Sequence, residues 1–127
     1  MLPCMHFAQD DCSSDLLIRG YGDGVITIGN QQFARSLILT RDSLMADWRP
    51  QHVAELLHDD FVPILEIRPE VMVLGTGKAL TFPSPALTAR LLQLGIGVEI
   101  MDTAAACRTY NILLSEQRNV VAALLPA

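Results

Sequence analysis

The sequence predicts an α/β domain with an antiparallel addition in its first half, and two observations carry that prediction. The second half alternates short apolar runs with helical patterns in the order strand, helix, strand, helix, strand. Helical crossovers of this kind place successive strands parallel in one sheet. The first half instead alternates β-prone runs with glycine turns at residues 22–24 and 29–30, a pattern typical of antiparallel hairpins.

Composition restricts the class of protein. The chain has 127 residues, 50% of them hydrophobic and 18% charged, as expected of one globular domain. Fourteen Asp and Glu against nine Lys and Arg give a formal net charge of −5, and a surface of that sign repels nucleic-acid phosphates and anionic lipid. Charged residues, Gly or Pro interrupt every apolar run before it could span a bilayer. We therefore expect no nucleic-acid partner and no membrane insertion.

Residues 1–15 are predicted to form a flexible N-terminal arm, and residues 16–127 a single α/β domain. The arm ends in the polar run DDCSSD and lacks the basic start and long apolar stretch of a secretory signal. This pattern predicts a cytoplasmic protein. The three Cys of the chain lack C-x-x-C spacing, so reduced thiols are expected, and the spacing of Cys4, His6 and Cys12 matches no structural zinc site. No metal and no cofactor is predicted.

Local patterns place the elements of the first half. We predict one antiparallel meander of four strands, near residues 16–20, 24–28, 31–34 and 36–40. After Pro50, the residues Val53, Leu56 and Leu57 recur at helical spacing and predict a helix near residues 50–58. The residues around Pro63 are predicted to be either irregular or a second short helix, because proline interrupts the interior of a helix but is tolerated in its first turn.

The second half begins with a continuous apolar run at residues 71–74, which is typical of a strand buried on both faces. Ser84 followed by Pro85 predicts the start of a helix, and Gly95 predicts its end. The buried face of this helix is predicted to carry Leu87, Leu91 and Leu94. Further strands are predicted at residues 97–101 and 119–125.

A second helix is predicted between those strands, capped by Asp102 or Thr103. Its buried stripe is predicted to comprise Ala106, Tyr110 and either Leu113 or Leu114. Three consecutive alanines at residues 104–106 lack side-chain bulk, so we expect the helix to pack closely on the sheet, with the inward alanine buried. Arg108 points away from Tyr110 on this helix, and its guanidinium is expected to stay free for a ligand or partner.

A candidate site follows from the predicted topology. The carboxyl ends of parallel strands meet at one edge of a sheet, where open α/β sheets bind ligands. Gly75-Thr76-Gly77 and Asp102-Thr103 are therefore expected along one rim, with Lys78 and Arg108 near it. The sequence Gly75-Thr76-Gly77-Lys78 has two interpretations, a phosphate-binding loop or a tight glycine turn. The nucleotide-loop spacing is not met, because the next helix begins only at Ser84.

Other chemistry-bearing residues give no catalytic pattern. Cys107 is either a thiol activated by a helix N-terminus and Arg108 or a small core residue. His52 and His58 do not share a helical face, which disfavours a metal site. Because no nucleophile, acid and base stand at a recognisable spacing, a role other than an enzyme is favoured.

The stretch from residue 95 to residue 125 resembles a widespread domain family of unknown biochemical function, whose members include the mitochondrial complex I assembly factor 3 and the adipogenesis-associated domain proteins. The resemblance covers about residues 16–126. Its Gly-Thr-Gly turn falls on residues 75–77, and its second motif falls on Asp102, Thr103, Ala106, Thr109, Tyr110 and Asn111. The turn before the last strand departs from the family pattern, because Gln117 stands where glycine is common.

The resemblance implies a three-layer α/β fold, in which a central mixed sheet carries a βαβαβ C-terminal half and a small antiparallel sheet is added. It also implies a non-catalytic interaction or assembly-factor-like protein with a protein partner. The alternative is a small-molecule (anion) binding protein or enzyme that uses the rim formed by residues 75–77 and 102–108. A homodimer is a third alternative, suggested by the hydrophobic content. The candidate binding residues are Gly75, Thr76, Gly77, Lys78, Asp102, Thr103, Arg108 and Asn111.

Overall fold

The strands form two separate sheets in the computed structural model, which describes residues 16–126. The small sheet is antiparallel and contains β1 (Ile18–Gly22), β2 (Val25–Ile28) and β3 (Gln31–Phe33). The central sheet has the order β5-β4-β8-β6-β7 and contains β4 (Leu37–Leu39), β5 (Leu44–Ala46), β6 (Val71–Gly75), β7 (Gly97–Met101) and β8 (Val120–Leu124). The predicted N-terminal arm, with Cys4, His6 and Cys12, lies outside the described residues.

The predicted four-stranded meander is wrong in its last strand. The first three strands form the small sheet, but β4 leaves it and pairs antiparallel with β8 in the central sheet. All three residues of β4 are buried, and a strand that is apolar on both faces is better covered inside a large sheet than at the edge of a small one. The sequence reading also missed β5, a short strand that pairs with β4 at the sheet edge.

The predicted helix near residues 50–58 is also wrong. Two 3₁₀ turns, Val53–Glu55 and His58–Phe61, lead into the short helix α1 (Val62–Ile67). The backbone amide of Leu57 donates a hydrogen bond to the Asp60 carboxylate (2.8 Å) instead of to a helical carbonyl, and side chains that bond nearby amides compete with helix formation. Of the two structures predicted for the residues around Pro63, the short helix is confirmed, with Pro63 in the first turn of α1.

The two longer helices agree with prediction at their ends. α2 (Pro85–Gln93) is followed by Gly95 with a φ of 81°, a left-handed conformation that glycine adopts readily. α3 (Thr103–Ser115) is capped by Asp102, whose side chain accepts a hydrogen bond from the Ala105 amide (2.9 Å). The prediction that Leu94 belongs to the buried face of this helix is wrong. Leu94 follows the last residue of α2 and is 42% exposed.

The central sheet is the middle of three layers, as the family resemblance implies. One face packs against α3 and the small sheet, in a core that includes Leu39, Val73, Ala122 and Tyr110. The opposite face packs against α1, α2 and the 3₁₀ turns, in a core that includes Trp48, Phe61, Met72, Leu91 and Val121. No helix within residues 16–126 combines the length and the hydropathy that a bilayer crossing needs.

The helix α3 lies very close to the central sheet, as the three alanines predict. A Cβ atom added to Gly75 would come within 2.9 Å of Thr103 Oγ1 and 3.0 Å of Leu124 Cδ2. Ala106 is fully buried on the sheet side, whereas Ala104 and Ala105 are half-buried. Small residues on both surfaces therefore let the helix backbone approach the strands at the end of β6.

Candidate functional site

The carboxyl ends of three strands meet at one rim of the central sheet. β6 runs parallel to both β7 and β8, so Gly75 lies in register with Met101 on one side and Leu124 on the other. The turn after β6 and the first residues of α3 are consequently adjacent. The structure thus brings residues 75–77 together with Asp102 and Thr103, as the topology predicts.

Thr103 ties the rim together through its hydroxyl and its amide. Its amide donates a hydrogen bond to the Gly77 carbonyl (2.9 Å). Its hydroxyl accepts a bond from the Gly77 amide (2.8 Å) and donates one to the Leu125 carbonyl (2.8 Å). Because Thr103 is completely buried, these bonds satisfy polar groups that water cannot reach. Thr103 therefore acts as a structural link between the ends of β6, α3 and β8.

Thr76 organises the turn itself. Its amide donates to the Met101 carbonyl (2.9 Å), and its hydroxyl donates to the Ala79 carbonyl (2.8 Å) and accepts from the Thr81 amide (3.1 Å). The amides of Thr76 and Gly77 are both engaged within the protein, so they do not form an anion cradle. With Gly77 at a φ of 105°, the geometry is that of a tight glycine turn rather than a phosphate-binding loop.

Arg108 is less free than the sequence predicts. Its Nη1 atom donates a hydrogen bond to the Tyr21 hydroxyl (2.9 Å), and the guanidinium carbon lies 5.8 Å from the centre of the Tyr21 ring. This contact joins α3 to β1 across the edge of the small sheet. The expectation of an unengaged guanidinium is therefore wrong, since i+2 spacing excludes Tyr110 as a neighbour but says nothing about a residue far away in sequence.

Asn111 lies away from the rim, two turns further along α3, about 12 Å from its first residue by the helical rise. Its amide nitrogen donates to the Ile18 carbonyl (2.7 Å), and its amide oxygen accepts from the Ile18 backbone N–H (3.3 Å). Both backbone groups of Ile18 are thereby paired. Asn111 fastens the start of β1 to α3, which is a structural contact.

Two clefts flank Lys78, the exposed residue after the turn. One has a volume of about 310 Å³ and is lined by Gly22, Asp23, Gly24, Gly77, Lys78 and Ala104. The other has a volume of about 390 Å³ and lies between residues 51–54 and the rim, with Lys78, Thr81 and Pro126 on its wall. The walls contributed by the β1–β2 turn and by residues 51–54 were not predicted, because only the tertiary fold brings them to the rim.

Sequence reasoning also missed an exposed apolar loop at the rim. In the segment that connects β6 to α2, Leu80 is 51% exposed and Phe82 is 69% exposed, while Pro83 is buried. The bonds from Thr76 to Ala79 and Thr81 hold the beginning of this loop in place. Two large apolar side chains next to Lys78 are thus presented to solvent from an anchored loop. The only sequence signal was their position between a glycine turn and a helix start.

The remaining titratable candidates lie in the core or on the surface without converging. Cys107 is fully buried, and burial raises the pKa of its thiol to about 12, against the smaller opposing effect of Arg108. Its place in the buried cluster agrees with the interpretation of Cys107 as a small core residue. Tyr110 is fully buried as well, and its hydroxyl has no hydrogen-bond partner among the described residues. No three His, Cys, Asp or Glu side chains within residues 16–126 form a group that could hold a metal ion.

Comparison with known proteins gives one consistent set of relatives. The family described as "Protein of unknown function (DUF498/DUF598)" matches residues 18–125. NADH dehydrogenase (ubiquinone) 1 alpha subcomplex assembly factor 3 of Bos taurus is 32% identical over 105 residues, which are 81% of this chain and 56% of that protein. An uncharacterized protein of Rhodobacter capsulatus is 34% identical over 113 residues, covering 87% of this chain and 85% of the relative.

A solved structure agrees with these relatives. The crystal structure of a Bordetella parapertussis protein superimposes with a TM-score of 0.82 at 38% identity, covering 87% of this chain and 95% of that one. By contrast, the chain spans less than two thirds of the length of the assembly factors that it matches, 56% for the bovine protein and 64% for that of Mus musculus. The match to the assembly factors is therefore to one domain-sized part of them.

Proposed function

Because this chain belongs to the DUF498/DUF598 family of proteins of unknown function, we propose that it is a non-catalytic protein that binds other proteins in the manner of an assembly factor. Relatives over 81% and 93% of its length are named as assembly factors of NADH dehydrogenase. An assembly factor acts by holding a protein partner, so its chemistry resides in an interaction surface rather than in reactive groups.

The observation that carries this proposal is the exposed loop between β6 and α2. Aromatic side chains dominate the energetics of protein interfaces, and Phe82 is 69% exposed in a loop that also contains the exposed residues Leu80 and Lys78. The loop is positioned by the buried Thr76 and Pro83 rather than free to collapse. A rigid scaffold that presents anchors on a loop is a common arrangement for recognition.

The test is affinity isolation from native extract with three tagged proteins. The wild type is compared with Phe82→Ser, and with Leu92→Ser as the matched control, since Leu92 is an apolar residue of α2 with 56% exposure. We expect the wild type and the Leu92 variant to retain the same defined protein, and the Phe82 variant to lose it. Recovery of the same proteins by all three, or of ribosomes and chaperones alone, contradicts the proposal.

A second candidate function is binding of a small anion at the rim. It is favoured by the two clefts on either side of Lys78, whose volumes fall at the lower end of those of ligand pockets. A thermal-shift screen of nucleotides, phosphosugars, flavins and acyl carriers tests it, because a ligand at 100 times its Kd stabilises the fold by about 2.7 kcal/mol. A stabilising ligand should lose its effect on Lys78→Gln, and a screen without any such ligand removes this candidate.

The same proposal extends to the cellular context. We place the protein in the cytoplasm, with residues 16–127 as one interacting domain and residues 1–15 as an arm outside it. Fractionation of cells and limited proteolysis test these two points. Light scattering at micromolar concentration tests the homodimer alternative, which a mass of one subunit would remove.

A further inference from the structure

Among residues 16–126, β7 is the longer of the two edge strands of the central sheet, and no strand pairs with its outer side. β5 ends the other side of the sheet with only 3 residues, whereas β7 has 5. In the small sheet, the edge strand β1 is partly closed, because the Asn111 side chain takes both backbone groups of Ile18. β7 has no comparable cover on its backbone among the described residues.

The hydrogen-bond register shows which backbone groups of β7 point outward. The Gly97 amide donates to the Glu70 carbonyl (2.8 Å), and the Met101 carbonyl accepts from the Thr76 amide (2.9 Å). In a parallel pair, alternate residues of a strand bond to the same neighbour, so Gly97, Glu99 and Met101 bond to β6. Val98 and Ile100 therefore direct their N–H and C=O groups away from the sheet, and neither has a backbone or side-chain partner within residues 16–126.

Glu99 decides what kind of strand fits this edge. Its side chain lies on the opposite face of the strand from Val98 and Ile100, which pack against the core that contains Met72 and Leu91. Glu99 is exposed and forms no ion pair among the described residues. If two copies of this chain paired through β7 antiparallel about Glu99, the two carboxylates would face each other, and like charges directly opposite are destabilising.

We propose that β7 accepts an extended segment of a partner protein as a sixth, antiparallel strand, in which a lysine or arginine faces Glu99 between two apolar residues. The pairing makes Glu99 part of a pair without mutual hydrogen bonds, where opposite side chains lie closest. Val98 and Ile100 supply the main-chain bonds, as in other cases of strand addition to a sheet edge. This inference rests on the proposed protein-binding role but not on the exposed loop at the rim.

Two synthetic peptides test the edge. The probe Gly-Thr-Val-Lys-Val-Thr-Gly and its twin with Glu in place of Lys are titrated into the isotope-labelled full chain and followed by NMR. We expect the lysine peptide to bind the wild type about threefold or more tightly than its twin, and Glu99→Lys to reverse the preference. At saturation the amides of Val98 and Ile100 should exchange about tenfold more slowly with solvent, while the Glu99 amide, already bonded to β6, should not change.

A proline variant supplies an independent measurement. Val98→Pro removes an outward N–H, which an edge strand tolerates, so the thermal unfolding curve should stay near that of the wild type while the lysine peptide binds about tenfold more weakly. If this variant does not fold, the charge reversal at Glu99 still decides the question. Failure of the lysine peptide to protect Val98 and Ile100 at millimolar concentration, or an unchanged preference in Glu99→Lys, overturns the proposal.

The rim variant separates this inference from the proposed function. Phe82→Ser should bind the lysine peptide as the wild type does, because Phe82 is not part of the β7 edge. If the wild type does not bind the lysine peptide but its capture of a partner still depends on Phe82, only the inference about the β7 edge is overturned. If the capture of a partner does not depend on Phe82 but the preference for the lysine peptide is observed, only the assignment of the proposed function to the loop is overturned.

Discussion

The two faces of the central sheet are covered in different ways. On one face, the regular helix α3 lies against β6 and β8 with Ala106 fully buried and Gly75 close to Thr103. On the other face, short segments around Trp48 and Phe61 are linked by polar contacts, and the two rings meet edge to face with centres 6.0 Å apart. On the first face a long helix packs closely on the sheet, whereas on the second face hydrogen bonds hold irregular segments against an apolar core.

The polar link on the second face centres on Asp60. Its carboxylate, 7% exposed, accepts hydrogen bonds from Arg49 Nε (3.0 Å), Arg49 Nη2 (2.7 Å) and the Leu57 amide (2.8 Å). Its backbone carbonyl accepts a bond from Trp48 Nε1 (2.9 Å). One residue thus positions the segment that forms a wall of the larger cleft. We therefore expect the two faces to be destabilised by different substitutions.

The largest effect is expected from overpacking the first face. Ala106→Leu should lower the free energy of unfolding by about 1–3 kcal/mol, because Ala106 is fully buried in the core and the added carbon atoms would displace the groups packed around it. Ala105→Leu is the control, since Ala105 is half-buried and its side chain has an outlet to solvent. Denaturant unfolding of both variants measures the difference. Equal losses at the two positions would show that α3 is not tightly packed.

A smaller effect is expected from weakening the second face. Asp60→Asn keeps the shape of the side chain but removes the charge and one acceptor oxygen, so we expect a loss of about 1–2 kcal/mol. Arg49 is 54% exposed, and water screens its side of the ion pair. Asp59→Asn, at an exposed neighbouring position, should change stability by no more than about 0.5 kcal/mol. An unaltered unfolding curve for Asp60→Asn would contradict the role given to this carboxylate.

The contribution of Asp60 to stability should depend on pH. The hydrogen bonds from Arg49, more than any other cause, hold the pKa of Asp60 below its ordinary value, against the opposing effect of burial. A carboxyl group with a lowered pKa in the folded state contributes stability that is complete above its unfolded pKa, about 3.9, and is lost as pH falls through the folded pKa.

The stability difference between wild type and Asp60→Asn should therefore be constant from pH 7 to about pH 5 and shrink below about pH 4. Urea unfolding at a series of pH values measures this difference. The Ala106→Leu deficit should not follow the same curve, because no ionisable group takes part in that packing. A deficit of Asp60→Asn that grows in acid would have the wrong sign for this mechanism.

The smallest effect is expected at the contact between Arg108 and Tyr21. Arg108→Ala should change the unfolding curve no more than an ordinary surface substitution does, because both partners are exposed and water screens their interaction. A double-mutant cycle with Tyr21→Phe measures the coupling. If Arg108→Ala destabilises the protein as much as Ala106→Leu, this contact holds the small sheet in place and the comparison of faces has to include it.

The sequence predicts the regular helices of both faces better than the irregular segments of the second face. The positions of glycine and proline, together with the spacing of hydrophobic residues, located α2, α3 and the strands that they connect. The capping role of Asp102 followed from its position before α3. The same reasoning assigned a helix to residues 50–58, because Val53, Leu56 and Leu57 have helical spacing. It overlooked the bond between the Leu57 amide and the Asp60 carboxylate, a local contact across three residues. The bonds that join Asp60 to Arg49 and Trp48, 11 and 12 residues away, could not be read from local spacing.

The candidate site shows the same division. Parallel strands have to end at one edge, so the meeting of residues 75–77 with Thr103 was predictable. The engagement of the Gly77 amide by the Thr103 hydroxyl was not, and it decides between a glycine turn and an anion cradle. The exposure of Phe82 likewise depends on which neighbours fail to cover it, and a sequence pattern does not report missing neighbours.

By itself, the sequence determined the α/β class, the helical crossovers and the close approach of α3 to the sheet, because these follow from residue spacing, side-chain volume and the handedness of the chain. Only the tertiary structure decided that β4 joins β8, that Arg108 meets Tyr21, that the Thr76 and Gly77 amides are occupied, and that β7 is the outermost strand of the central sheet among residues 16–126. Those outcomes depend on contacts between residues far apart in the chain, which are set by the packing of all the layers together.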